Sequence, residues 1–152
     1  MTTPRERLAE LGVNLPPVTP PVAAYIPAIR TGNHVYVSGQ VPVADGKVLA
    51  TGKVGGEITP EQAKELAARC ALNILAAVDA LVGLDHVVRV VKVVGFVASA
   101  GGFTAQPAVI NGASEFFVDV FGEAGRHARS AIGVFELPLG VPVEVEAIFE
   151  VD

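Results

Sequence analysis

Few residues in this 152-residue chain have the types and spacing to do chemistry. From Val141 to Val151 the sequence alternates, with Val143, Val145, Ala147, Phe149 and Val151 on one side. Glu144, Glu146 and Glu150 fall on the other side, the period-two pattern of a half-buried strand. The apolar run before it, Arg129 to Glu136, opens on a cation. The two are expected to lie side by side across the turn Leu137-Pro138-Leu139-Gly140, bringing Arg129 near one of the carboxylates. Such a pair is a structural ion pair, an anion site, or both, against the solvated face that most antiparallel sheets present. His34, His86 and His127 share no metal-ligand spacing and Cys70 has no CxxC partner, so no metal is expected. There is no GxSxG elbow, and spacing alone assigns no Ser-His-Asp set. Lys53-Val54-Gly55-Gly56 lacks the Gly-Lys-Ser/Thr of a phosphate loop and reads as a turn.

The elements that would position these residues follow from periodicity and punctuation. Residues 3–11 read as a short helix ended by Gly12, and Pro16 to Pro21, with four prolines, as an extended connector. Val22 to Ile29 is an irregular or edge strand interrupted by Pro27. His34 to Gln40 alternates as a strand, and Ala44-Asp45-Gly46-Lys47 makes a hairpin turn into Val48 and Leu49. A helix is expected from Pro60 to Val82, with Thr59 as N-cap, Gln62 closing a capping box and Gly83 as its stop. Ala63, Leu66, Ala67, Cys70, Ile74, Ala77 and Leu81 form its apolar face. Val87 to Ala98 is too β-branched for a comfortable helix and reads as a long buried strand. A second helix spans Pro107 to Phe121, ended by Gly122. The order β-β-α-β-α-β-β, with a hairpin at each end, indicates an α+β layer: one mixed sheet with two helices on one face.

Bulk properties bound the function. One domain over residues 1–152 is expected, with residues 1–21 as an N-terminal helix and Pro-rich extension. Apolar residues make up 51% and charged residues 18%, a balance that suits a chain burying much of its surface, in part against copies of itself. A net charge of −5 with scattered basic residues argues against nucleic acid as a partner. Cys70 sits in a helical apolar pattern and reads as a buried structural thiol. No signal peptide or bilayer-spanning run is found, so no membrane partner is expected, and a cytoplasmic location is the default.

Two blocks of sequence resemble a known family. Tyr25, Gly32-Asn33 and Val35-Tyr36-Val37-Ser38-Gly39-Gln40-Val41-Pro42 resemble the opening signature of the RidA, or YjgF-type, family. Ala128-Arg129-Ser130, Leu137-Pro138 and Val143-Glu144-Val145-Glu146-Ala147 resemble its C-terminal signature. The resemblance runs from Tyr25 to Val151 and is that of a divergent member with an N-terminal extension. It implies a chorismate-mutase-like fold, a homotrimer with clefts between subunits, and hydrolysis of reactive 2-imino or enamine acids to 2-keto acids and ammonia. It implies no cofactor. Arg129 matches the arginine that holds the substrate carboxylate, and Tyr25 and Glu144 match a tyrosine and a glutamate of the same cleft. Ser38 and Gly39 match its lining, Ala131 stands where many members carry Cys or Thr and would contribute backbone, and Asn111 corresponds to a helix asparagine nearby. The chain departs from the family around Gly101-Gly102, from Gly122 to His127, and in the spacing from Asn111 to Phe116-Phe117. A 2-iminobutanoate/2-iminopropanoate deaminase is thus the first reading. A trimer that only binds a small carboxylate, an endoribonuclease or translation inhibitor, and a ligand-free structural trimer are the alternatives.

Overall fold

A computed structural model describes residues 2–18, 21 and 23–152. Local sequence accounts for most element boundaries. Helix α1 (Pro4–Glu10) starts on a capping box between Thr3 and Glu6. Helix α2 (Pro60–Leu81) does the same with Thr59 and Gln62: Gln62 N donates to Thr59 Oγ1 at 3.1 Å, and Thr59 N to Gln62 Oε1 at 2.9 Å. These bonds satisfy donors that a helix start otherwise leaves open. Gly83, at φ 87°, ends the run. Helix α3 (Gln106–Phe121) starts one residue earlier than expected.

The strands are β1 (Ala28–Thr31), β2 (His34–Gln40), β3 (Val43–Ala44), β4 (Lys47–Val48), β5 (Val87–Ala98), β6 (Ala128–Val134) and β7 (Val143–Val151). β3 and β4 form the expected hairpin, with Asp45 (φ 53°) and Gly46 (φ 75°) in the left-handed region its two-residue turn requires. Of the strand expected over Val22 to Ile29, only the end after Pro27 is β1; Val22 lies outside the described residues, as do Thr19 and Pro20 of the proline connector.

The main sheet is mixed, in the order β1-β2-β7-β5-β6. This confirms the α+β layer and corrects one pairing: β6 and β7 are not neighbours, because β5 lies between them. The β5-α3-β6 connection is a helical crossover, which returns the chain to the same end of the sheet and makes β6 parallel to β5. β7 takes the other side of β5, antiparallel. Leu137–Gly140 is therefore a crossing over the end of β5, turned by Leu139 and Gly140 at φ 63° and 70°, and not a hairpin turn.

Helices α2 and α3 cover one face of this sheet. Val35, Val90, Val93, Val97, Val145 and Phe149 project from the strands into the layer between, and Ala63, Ala67, Ala71, Ile74 and Val78 project from α2. Leu81, expected on that apolar face, is 44% exposed. Cys70 is fully buried, and burial pushes its thiol well above the usual range. α1 docks across the helix layer through Leu8, an Arg5–Asp79 ion pair and a bond from Arg7 Nε to Asp119 O at 2.8 Å. Among the described residues, no helix is long and apolar enough to cross a membrane.

Two glycines set how closely α3 approaches its neighbours. A Cβ on Gly112 would collide with the backbone carbonyl of Lys64 in α2, and one on Gly95 in β5 would collide with the side chain of Ile110. The first obstacle is backbone and cannot rotate away. Gly112→Ala is therefore expected to destabilise the fold by about 1–3 kcal/mol. Gly101→Ala, where a Cβ meets nothing within 4 Å, is the control. Urea transitions of the two variants at unchanged slope check this.

Candidate functional site

β6 is the edge strand beside the N-terminal half of α3, and its register decides where Arg129 points. Arg129 pairs with Val93, which pairs with Ala147. Val93 and Ala147 are buried on the helix-covered face, so Arg129 projects towards α3. There Nη1 donates to Asn111 Oδ1 at 2.7 Å and to Ser114 Oγ at 3.3 Å, and Nη2 donates to Pro107 O at 3.3 Å. Positions 107, 111 and 114 are i, i+4 and i+7, one stripe of a helix. All three acceptors are uncharged, and Arg129 has no carboxylate partner among the described residues. A guanidinium has five N–H donors. Nε–H and one hydrogen of Nη2 remain without an acceptor among the described residues, and two N–H groups are what one carboxylate takes.

Ser114 is itself held. Its Oγ is 2.9 Å from His127 Nε2, and His127 Nδ1 is 2.6 Å from Gly125 O. The His127 and Phe117 rings also meet edge to face, with their centroids 6.0 Å apart. Burial lowers the His127 pKa, its bond to Gly125 opposes this, and Arg129 adds to the lowering. Ser114 and His127 line a shallow depression with Arg126 and Arg129.

The other expected site residues lie elsewhere in the chain. Glu144 pairs with Phe96 and thus sits on the opposite, uncovered face of the sheet from Arg129. Strand β5 and the thickness of the sheet separate them, so the anticipated pairing within one chain does not occur. Burial is the larger cause raising the Glu144 pKa, with Glu146 next. Gly39 stands against Glu144, at the irregularity where β2 leaves its register with β7. A Cβ there would lie 2.7 Å from Glu144 Oε2, so glycine makes room for the carboxyl group. Tyr25, 54% exposed, joins Gly39 in lining a cavity of about 270 Å³ with Val43, Val48 and Leu139. The Ser38 hydroxyl donates to Ile26 O at 2.8 Å, which ties the segment before β1 to β2. Ala131 points to the helix side and packs against the core, leaving only its backbone for a ligand.

The candidate residues thus fall into two separate clusters in one chain. Arg129 and Asn111 form one with Ser114, His127 and Pro107, which the sequence reading did not select. Tyr25, Gly39 and Glu144 form the other. The signal for the missed residues was the 107-111-114 stripe, legible only once α3 is set beside β6. Among the described residues, no group of three or more His, Cys, Asp or Glu is placed to hold a metal ion.

Comparison with known proteins places this architecture. The family model described as endoribonuclease L-PSP matches residues 17–151. TCP17 of Trypanosoma cruzi is 42% identical over 95% of this chain and 92% of its own length. A protein of Dermatophagoides farinae named 2-iminobutanoate/2-iminopropanoate deaminase is 32% identical over 92% of this chain and 95% of its own. A crystal structure of a protein of unknown function from Agrobacterium tumefaciens superposes with a TM-score of 0.91 at 46% identity, covering 98% of this chain and 92% of that one. Together with the two signature blocks and the mixed sheet under paired helices, these likenesses establish that the chain belongs to the endoribonuclease L-PSP family, the group of RidA- and YjgF-type proteins.

Proposed function

We propose that this protein hydrolyses small 2-imino acids to 2-keto acids and ammonia, in clefts completed by a second copy of the chain. The observation that carries this reading is Arg129: a half-buried guanidinium fixed by neutral oxygens, with two N–H donors left for a carboxylate. Arginine stays charged under partial burial and matches a carboxylate with a planar fork. An imine carbon is already electrophilic, so holding the substrate and aiming a water supplies most of what the reaction needs. The water oxygen bonds to the imine carbon while a carboxylate accepts its proton. That proton passes to the nitrogen, giving a carbinolamine. Its hydroxyl proton then moves by the same carboxylate to the amino nitrogen as the carbon–nitrogen bond breaks, releasing ammonia and leaving the keto group. Glu144 is the candidate for the base, because burial and Glu146 raise its carboxyl towards the working range of such catalysts. The deaminase relative from Dermatophagoides supports the same chemistry.

Assembly enters because Arg129 and Glu144 lie on opposite faces of one sheet. The uncovered face exposes Ile29, Tyr36 and Ile132 at 44–55%, and with Val94, Glu146 and Ile148 part of it forms a depression of about 400 Å³. An apolar surface of this kind suits contact with another copy, and a closed homotrimer that brings one subunit's Arg129 to its neighbour's Tyr25, Gly39 and Glu144 would join the two clusters. The net charge of −5 makes cleavage of a polyanionic RNA the poorer alternative.

Ammonia and keto-acid release from freshly generated 2-iminopropanoate tests the proposal; no acceleration over buffer would defeat it and leave a carboxylate-binding protein. Arg129→Ala is expected to abolish the acceleration, and Arg129→Lys, which keeps charge but loses the fork, to reduce kcat/KM by about tenfold or more. The rate should fall as pH drops through the raised Glu144 value, because only the ionised carboxylate accepts the proton. Glu144→Gln should remove that acid limb together with most of kcat. An unchanged pH profile in that variant would assign the base elsewhere.

A further inference from the structure

Three oxygens of α3 meet Arg129, and the one from Ser114 owes its direction to a residue outside the helix. A carbonyl oxygen can only accept, so Gly125 O at 2.6 Å places a hydrogen on His127 Nδ1. In the neutral ring Nε2 is then bare, and the Ser114 hydroxyl at 2.9 Å donates to it. With its hydrogen so directed, that hydroxyl faces Arg129 Nη1 as an acceptor at 3.3 Å. A serine inside a helix without such a partner turns its hydrogen to the carbonyl four residues back, here that of Ile110. His127 prevents this. Arg126 shares the depression with the ring, and Glu123 lies 3.9 Å from Arg126. Neither is hydrogen-bonded to the imidazole.

Resting on the reading of Arg129 as a carboxylate anchor, we propose that Ser114 and His127 are positioning residues of the site. The chain from Gly125 carbonyl through His127 to Ser114 fixes a hydroxyl oxygen against Nη1. With Asn111 and Pro107 it holds the guanidinium so that its two free donors keep one direction. Neither residue touches the reacting carbon; both act through Arg129. Because Asn111 and Pro107 hold the same group, loss of the relay loosens the anchor without removing it. Its effect therefore falls on binding, alike in ground and transition states, and appears in KM with kcat kept.

The histidine can be divided by substitution. His127→Asn keeps an amide where Nδ1 meets Gly125 and has nothing at the Nε2 position. His127→Gln sets an amide oxygen near that position, able to accept from Ser114. Pyruvate binding by calorimetry and steady-state kinetics on fresh 2-iminopropanoate are measured for both, with Ser114→Ala, Ser114→Thr and Arg129→Ala beside them. Ser114→Ala and His127→Asn should each weaken pyruvate and raise KM by about tenfold, the scale of one hydrogen bond to a charged group. kcat should stay within about twofold, and His127→Gln and Ser114→Thr should bind within about twofold of the parent. The double variant Ser114→Ala/His127→Asn should be no weaker than either single one, as expected of residues acting as one unit.

Parent-like binding by both Ser114→Ala and His127→Asn, with binding lost in Arg129→Ala, overturns the positioning role alone. Equal weakening in His127→Asn and His127→Gln does the same, and decides the matter even where Ser114→Ala fails to fold. Parent-like binding by Arg129→Ala overturns the anchor and this proposal with it.

Discussion

The approach of α3 to its neighbours is set by three consecutive residues, and the arginine site hangs on that approach. Ile110 fills the space above Gly95, where β5 has no side chain, and Gly112 lies on the carbonyl of Lys64 with no Cβ to keep α2 away. Between them Asn111 points to the sheet edge and takes Arg129 Nη1 at 2.7 Å. Protein interiors resist small displacements because they are close-packed, so a helix gripped on both sides of Asn111 holds its oxygen in a fixed place. Pro107 and Ser114, on the same stripe, are placed by the same grip. The direction of one guanidinium thus follows from two missing methyl groups elsewhere in the layer.

The parallel pairing of β5 with β6 is the second constraint. By routing the chain through α3 it leaves β6 at the edge of the sheet, with α3 beside it. β7, inserted between β2 and β5, carries Glu144 on the uncovered face and presses it against Gly39. The two chemically useful groups are therefore presented in different directions by one rigid sheet. A fold that separates them while exposing apolar residues beside the carboxylate suits the proposed sharing of the site between copies.

Much of this was legible in the sequence where the determinants are local. Thr59-Pro60 and Gln62 marked the start of α2, alternation marked β2 and β7, and the Asp45-Gly46 pair marked the small hairpin. Strand order was not legible, because whether β6 pairs with β5 or with β7 depends on contacts far apart along the chain, and Leu137-Pro138-Leu139-Gly140 has the composition of a hairpin turn in either case. For the same reason the expected closeness of Arg129 to a carboxylate of β7 does not occur within one chain, whereas Asn111, expected near Arg129 from the family resemblance, does hold it, together with Ser114 and Pro107. The role of His127 had no signal of its own, since it reaches Arg129 only through Ser114, thirteen residues away.

The claim that one chain supplies the arginine and another the glutamate is tested most directly by mixing two inactive variants. Arg129→Ala and Glu144→Gln are unfolded together, refolded as one mixture and assayed for deamination of 2-iminopropanoate. If each site takes its arginine from one subunit and its glutamate from the next, random assembly restores about a quarter of the parent's activity. Activity no greater than that of the two variants refolded separately would contradict a shared site.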